Sequence, residues 1–512
     1  KAPETLPGAT ENVIWLGEIT PRVGALRDQP QLVAIAGTKV FYRNAVGVWI
    51  DTGIALPAIP SSSESITVFN DVLVIGFADQ ARAVWCSDHQ STANIIDQAN
   101  AQLYVWAATA DQAAIYIAGG TGVQDWNKVI SSNDPKRNYA TTPTVCGGSE
   151  AKITGMAPGG GIVTLFVGKE RELGEIDVNA IYRTLVPFDS SLSTNCSVLR
   201  WWLSGDGREA RGPVSLVFPR DRAPWLYTPQ SQTSGQAQNL APWAQPNRRP
   251  PNIRGIPRAF QGTARWLYYS IEGSAGTWIL ARDAFSGAPH SILKLGVAGT
   301  ACRALAVSSL FGTNPRLFIG VGSGIVSCIL PLDGEHPLDD ANVLYVLRGV
   351  LDIPDVDIAF PDEQKILFAV RMVADSLEPG HRMIEVQYAL DGAASYTSLG
   401  FIHTSPSQEL EFPSGTAARR VALRFIFTTA DPTETPELLG FTIRTSINAK
   451  LYRIWQFRAA VPTQSHPHGG DDLQNPKALI DQFWQARKDG VPVSFTDRWG
   501  TPWNVRIRRF GE

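Results

Sequence analysis

One feature constrains this chain more than any other: a short apolar strand that keeps returning directly after a tight polar turn. Instances begin at Lys39, Val72, Ala114, Ile162, Trp225, Arg265 and Arg316; Val72-Leu-Val-Ile-Gly-Phe and Arg316-Leu-Phe-Ile-Gly-Val-Gly are typical. The turns before them, such as Ala36-Gly37-Thr38, Asn70-Asp71 and Gly312-Thr313-Asn314, are rich in Gly, Asn, Asp or Pro, and the first three of these supply the positive φ of tight hairpins. A strand-based period of about 40–50 residues is that of a propeller blade. One such sheet cannot bury both faces, whereas a radial set can, because each blade covers its neighbour. The spacing predicts a β-propeller of about six to eight blades over residues 11–345, preceded by an N-terminal arm, residues 1–10. The strand Asn12-Val-Ile-Trp-Leu is positioned to return and complete the last blade. A stack of irregular β-sandwiches is the alternative, since the repeat lies in the hydrophobic pattern and not in identical residues.

One connection interrupts this rhythm. Thr228 to Arg258 is rich in Gln, Pro and Ser and reads as a long loop unable to form a regular strand. It carries Trp243, Arg248, Arg249 and Arg254, residue types that commonly anchor interfaces. Residues 346–448 change character. Ile366-Leu-Phe-Ala-Val-Arg-Met-Val, Arg382-Met-Ile-Glu-Val-Gln-Tyr and Arg420-Val-Ala-Leu-Arg-Phe-Ile-Phe contain stretches that alternate apolar with polar, as strands with one wet face do, and predict a β-sandwich. Residues 449–512 predict a small α+β module. Asn475 caps a helix with Pro476 in its first turn, Leu479, Ile480, Phe483 and Trp484 share one face, and Gly490 ends it. A hairpin follows whose Val493, Phe495, Trp503, Val505 and Ile507 are placed to receive that helix. Asn504, Arg506 and Arg508 face the other way, with Arg509 and Trp499 nearby, so this face is the second interface candidate. The fold class expected is therefore all-β: propeller, sandwich and a helix-plus-hairpin module.

The stretch Glu385-Val-Gln-Tyr-Ala-Leu-Asp-Gly-Ala-Ala-Ser-Tyr-Thr-Ser-Leu-Gly400 resembles the hairpin of sandwich domains in bacteriophage tail proteins. So does its continuation through Leu410-Glu-Phe-Pro and Arg420-Val-Ala-Leu-Arg-Phe to Thr435-Pro-Glu-Leu-Leu-Gly-Phe-Thr-Ile-Arg. The segment from Leu479 to Ile507 resembles a small module recurring in siphophage minor tail and tail-tip proteins. These likenesses cover about the last third of the chain, and none of their motifs encodes catalysis. They imply a virion protein of the tail or tail tip, with other tail proteins as partners, assembly as a homo-oligomer or ring, and a host surface glycan or protein as target.

Composition narrows the other classes. Lys plus Arg number 45 against 48 Asp plus Glu, a net charge of -3, without the basic excess of a nucleic-acid protein. No apolar run of about 18 residues is present, and Lys1 to Thr10 has no apolar core of the secretory kind. Cys86, Cys146, Cys196, Cys302 and Cys328 are widely spaced, form no CxxC pair, and read as small buried hydrophobes. His466 and His468 beside Asp471 and Asp472 form a weak metal candidate on a Gly-rich loop, and Asp333 to Asp340 an incomplete oxygen-ligand loop. Asp391-Gly392 with Tyr396 partly resembles the Asp-box of sialidase propellers, where the box is a structural turn; here it reads as a two-residue hairpin. Trp201, Trp202, Trp225 and Tyr227 read as blade core rather than a sugar platform. Gly159 to Gly161 lacks the following helix of a phosphate loop, and no catalytic residue, metal or cofactor is assigned. A non-enzymatic tail component is the leading expectation. A propeller glycosidase or polysaccharide lyase, and a secreted adhesin or lectin, are the alternatives.

Overall fold

In the computed structural model the described residues are 4–20, 29–69, 72–77, 81–85, 92–94, 104–111, 114–120, 126–133, 143–159, 163–203, 214–229, 235–241, 253–274, 276–284, 287, 289–296, 301–331, 344–358, 363–447, 481, 484, 485, 488, 489, 492–496 and 502–505. The chain divides into two compact units, Lys1–Ile447 and Asn448–Glu512.

The first unit begins with seven antiparallel four-stranded sheets; six are made of four sequence-adjacent strands, and the seventh of three such strands and one from the N-terminal arm. They start with the strands Val13–Ile19, Ile66–Phe69, Tyr104–Ala110, Ile153–Pro158, Arg200–Leu203, Ile256–Gly262 and Leu305–Ser308, which we number as the inner strands of blades 1 to 7. What makes these sheets a propeller is how they share cores. In blade 1 the second strand, Gln31–Ala36, is buried on both faces, and its alternate residues serve different neighbours. Val33 and Ile35 pack with Leu73, Ile75 and Phe77 of blade 2. Leu32 and Ala34 pack with Ala306, Phe318 and Ile325 of blade 7. Equivalent clusters join blades 2 and 3, 3 and 4, 4 and 5, 5 and 6, and 6 and 7. The ring therefore closes, and the stacked-sandwich alternative is excluded for these sheets.

Closure differs from the expected route. The strand at Asn12 does not return to the last blade; Val13–Ile19 opens blade 1. The last blade is instead completed by the arm itself, where Glu4 pairs with Ile325 and Thr5 with Gly324. Two residues suffice because Glu4 is also held by blade 1. Arg43 Nη2 donates to Glu4 Oε1 at 3.1 Å and Trp49 Nε1 to Glu4 Oε2 at 2.9 Å. The Arg43 guanidinium lies over Phe311 of blade 7, 4.3 Å from the ring centre. The expected loop from Thr228 to Arg258 is also corrected. Gly235–Asn239 is the outermost strand of blade 5, paired with Ala223–Pro229, and Ile256 already belongs to the inner strand of blade 6. An outermost strand needs only its backbone to pair, so a Gln-rich, largely exposed sequence serves.

The sandwich follows. One sheet holds Arg348–Val356, Val421–Thr429, Arg382–Leu390 and Thr397–Ile402 in that order; the other centres on Lys365–Asp375, flanked by Ser407–Glu411, Ala417–Ala418 and Glu437–Ile447. Val421, Leu423, Phe425, Ile384 and Val386 of the first face Leu367, Val370 and Met372 of the second.

In the second unit, residues 481, 484, 485, 488 and 489 are helical, and Val493–Thr496 pairs with Pro502–Val505. Trp484 does not take the buried position expected of it, remaining 42% exposed. It lies on the same helical stripe as Asp481 and Lys488, both exposed. The helix start at Asn475 and the residues Leu479, Ile480 and Phe483 lie outside the described residues.

Candidate functional site

Inner strands of a propeller surround a central channel, and here two cavities lie against them. One, of about 180 Å³, is lined by Trp15, Ser63, Arg200, Gln261 and Arg303 with apolar neighbours from blades 1, 5, 6 and 7. The other, of about 230 Å³, is lined by Trp15, Thr67, Thr109, Pro158, Arg200 and Trp201 with neighbours from blades 1 to 5. Trp15 and Arg200 contribute to both. The Trp15 ring folds back along its own strand over Gly17, where a Cβ would sit 2.6 Å from the ring, so a side chain there would have to displace the ring.

Between blades 1 and 2 the chain makes one 3-10 turn, Ser63–Ser65. Its sequence, three serines ahead of Glu64 and one after, explains its shape. Ser65 N donates to Ser62 Oγ at 3.1 Å and Ser62 N to Ser65 Oγ at 3.2 Å, a reciprocal cap. Ser61 Oγ donates to Val105 O at 3.1 Å and Ser62 Oγ to Trp106 O at 3.2 Å, which docks the turn on blade 3. Glu64 then reaches blade 5. Its Oε1 lies 2.7 Å from Arg200 Nη2, and its Oε2 accepts from Arg200 Nη1 at 2.9 Å and from Leu199 N at 3.4 Å. The Glu64 side chain is 1% exposed and that of Arg200 37%. Burial raises the Glu64 carboxyl above its ordinary value, and the charge and hydrogen bonds of Arg200 pull it back only in part. The turn is thus a strut, its serine hydroxyls holding blade 3 and its one carboxylate holding blade 5.

Sequence reasoning did not find this pair. Glu64 and Arg200 are far apart in the chain and neither belongs to a spaced motif. The only local signal is the serine-flanked acid, a capping pattern that says nothing of its distant partner.

The expected site residues are not brought together. Arg254 is exposed on the approach to blade 6. Trp243, Arg248, Arg249, Trp499, Arg506, Arg508 and Arg509 lie outside the described residues, as do His466, His468, Asp471, Asp472 and the Asp333 to Asp340 segment. Among the described residues no cluster of three or more His, Cys, Asp or Glu side chains is placed to hold a metal, and no helix is long and apolar enough to cross a membrane. Of the tryptophans expected in the blade cores only Trp202 is fully so; Trp201 and Trp225 are half-buried against the core between blades 4 and 5. Trp202 is buried, Trp201 meets Phe166 edge-on at 5.3 Å and donates to Pro158 O, and Tyr227 is buried in the same cluster. Cys146, Cys196 and Cys302 are free and buried; burial pushes the Cys146 and Cys302 thiols up to about 12 and keeps them protonated and inert. Asp391 and Gly392 both have positive φ, and Asp391 Oδ1 accepts from the backbone N–H groups of Arg419 and Arg420 at 2.8 and 2.9 Å. The pair is a structural turn, within a connection running to Tyr396 and so longer than the two-residue hairpin expected.

These sheets define the class: a seven-bladed β-propeller carrying a β-sandwich. No family model matches the chain, and no curated protein matches its sequence. Among solved structures it is similar to dihydro-heme d1 dehydrogenase NirN in complex with DHE, at 11% identity and a TM-score of 0.40, covering 62% of this chain and 64% of that one. It is also similar to AztD of Citrobacter koseri, at 13% identity and a TM-score of 0.38, covering 63% and 91%. A third is YCF48 bound to D1 peptide, at 9% identity and a TM-score of 0.41, covering 64% and 96%.

Proposed function

We propose that this protein is a structural and binding component of a bacteriophage tail, serving virion assembly and host attachment without catalysis. The observation that carries the reading is where chemistry and apolar surface fall. Neither channel cavity is lined by a described carboxylate, and the buried Glu64 beside them is engaged by Arg200. A propeller glycosidase needs two carboxylates about 5–9.5 Å apart in an open cleft. The sandwich and the segment leading into it instead carry large exposed apolar side chains, among them Leu344, Val346, Phe368, Phe401 and Leu439. Contiguous apolar exposure marks interaction surface, and we take these side chains as parts of one. The resemblance of Glu385 to Gly400 to tail sandwich hairpins supplies the setting, with other tail proteins as partners and a host glycan or protein as target.

The test is mass spectrometry and antibody labelling of purified tailed particles from the source of this sequence. Labelling at the tail or its tip is expected. Particles free of the protein would end the proposal. Release of reducing sugar from host capsule or cell-wall glycan by the pure protein would favour the glycosidase instead.

A further inference from the structure

Strand Arg348–Val356 is the edge of its sheet, and among the described residues only Val421–Thr429 pairs with it. Leu347 O accepts from Thr429 N. Hydrogen-bonding direction alternates along an antiparallel strand, so the odd-numbered residues 347, 349 and 351 address the neighbour, and the N–H and C=O groups of 348, 350 and 352 point outward. The strand is exposed here: Val350 is 50% exposed, Leu351 42%, and Leu347 before it 54%. Arg348 and Asp352 are exposed as well. Proteins ordinarily blunt a bare edge with Lys, Pro or a bulge; in this strand Pro354 and the register shift after Ile353 do so at the far end only, and residues 347 to 352 contain none of these.

We propose that this edge pairs antiparallel with the same strand of a second copy, about a two-fold axis through Val350. The sequence is self-complementary in that register and in no need of a different partner. Val350 meets Val350 as a hydrogen-bonded pair, and the outward groups of 348 and 352 satisfy each other. Arg348 stands opposite Asp352 of the second copy, twice. Asp352 already accepts Arg424 Nε and Nη2 at 2.6 and 3.2 Å, and a carboxylate has room for a further donor. On the other face Leu351 stands opposite Gly349, whose missing Cβ leaves space; a Cβ there would find only Phe427 Cβ, at 3.8 Å. Leu347 stands opposite Ile353. The two first sheets become one continuous sheet of eight strands. The pairing does not depend on the tail reading, and the purified full chain tests it alone.

Sedimentation equilibrium of the full chain should give twice the 55.7 kDa monomer mass. Val350→Lys sets two cations on the axis and should return the protein to monomer with its circular dichroism unchanged. Val350→Cys should form an intermolecular disulfide under mild oxidation, since a hydrogen-bonded pair has Cα atoms about 5.5 Å apart, within disulfide reach. Val346→Cys is at a still more exposed position, but its copies lie roughly 27 Å apart in this register and should not crosslink. A wild-type monomer, as expected if a strand of another protein occupies the edge, would overturn the proposal. So would a Val350→Lys dimer, or equal crosslinking by the two cysteine variants.

Discussion

Glu64 shows how one carboxylate can be costly and useful together. Taking an ion pair out of water is repaid only where geometry is good, and removing one partner leaves the other charge stranded. The two halves of this pair are unequal. Glu64 is enclosed, whereas Arg200 retains contact with the channel. Arg200→Met should therefore destabilise the protein by about 3–5 kcal/mol at neutral pH, while Glu64→Gln, which leaves a hydratable cation, should cost about 1 kcal/mol. Urea unfolding of both variants checks the asymmetry; equal losses would refute it. The pH dependence has a definite sign. The folded carboxyl is raised above its ordinary value, so the folded state holds this proton more tightly than the unfolded chain. The stability it contributes is fully present below the ordinary carboxylate range and is lost as pH rises through the folded value. Arg200→Met raises that folded value further, so its deficit should shrink toward pH 4 and Glu64→Gln should remove the slope. An Arg200→Met deficit that stays constant between pH 7 and 4 would show that Glu64 is not the group responsible.

Among elements, the shortest strand closes the ring. Glu4–Thr5 adds little backbone pairing, yet Glu4 joins Arg43 and Trp49 of blade 1 while its strand pairs in blade 7. The Arg43 side chain is 6% exposed and partly supported by the rings of Phe311 and Phe318. Glu4→Ala should cost about 2–4 kcal/mol, the penalty for stranding a buried cation less what the aromatic faces return, measured as a lowered denaturation midpoint. A loss within experimental error would mean that blades 1 and 7 hold through their shared apolar cluster alone. The same contrast explains what the sequence could and could not disclose. Strands such as Val72-Leu-Val-Ile and Arg316-Leu-Phe-Ile are buried on both faces, so their apolar runs betray them. Gly235–Asn239 and Glu4–Thr5 are outermost strands that pair through backbone, and backbone pairing leaves no compositional trace. Glu64 with Arg200 was illegible for a related reason: the ring brings blades 2 and 5 together across its axis, and sequence distance carries no sign of that.

At the scale of the whole molecule, the boundary after Ile447 makes a sharp prediction. Glu437–Ile447 is the last strand of the first unit and pairs along nearly the full length of Lys365–Asp375. Leu438, Phe441 and Ile443 pack against the sandwich core, and Phe441 meets Phe425 with ring centres 5.2 Å apart. A chain ending at Ile447 retains every strand of the seven blades and the sandwich. It should keep the full-length β-sheet circular dichroism and unfold cooperatively. A chain ending at Pro436 removes only eleven further residues, those of one strand. It uncovers Leu367, Val370 and Met372 and leaves the long central strand with an open edge. Fully burying an aliphatic or aromatic side chain is worth about 1.5–3 kcal/mol; Leu438, Phe441 and Ile443 are half-buried and contribute less each, but with the lost backbone pairing the loss is a large share of an ordinary domain's stability. The Pro436 chain should therefore bind a hydrophobic dye and lose the sandwich's protection from protease while the blades stay resistant. Blades that become protease-sensitive together with the sandwich would show that the two fold as one cooperative body. A Pro436 chain as resistant as the Ile447 chain would mean that the last strand is dispensable to the sandwich core.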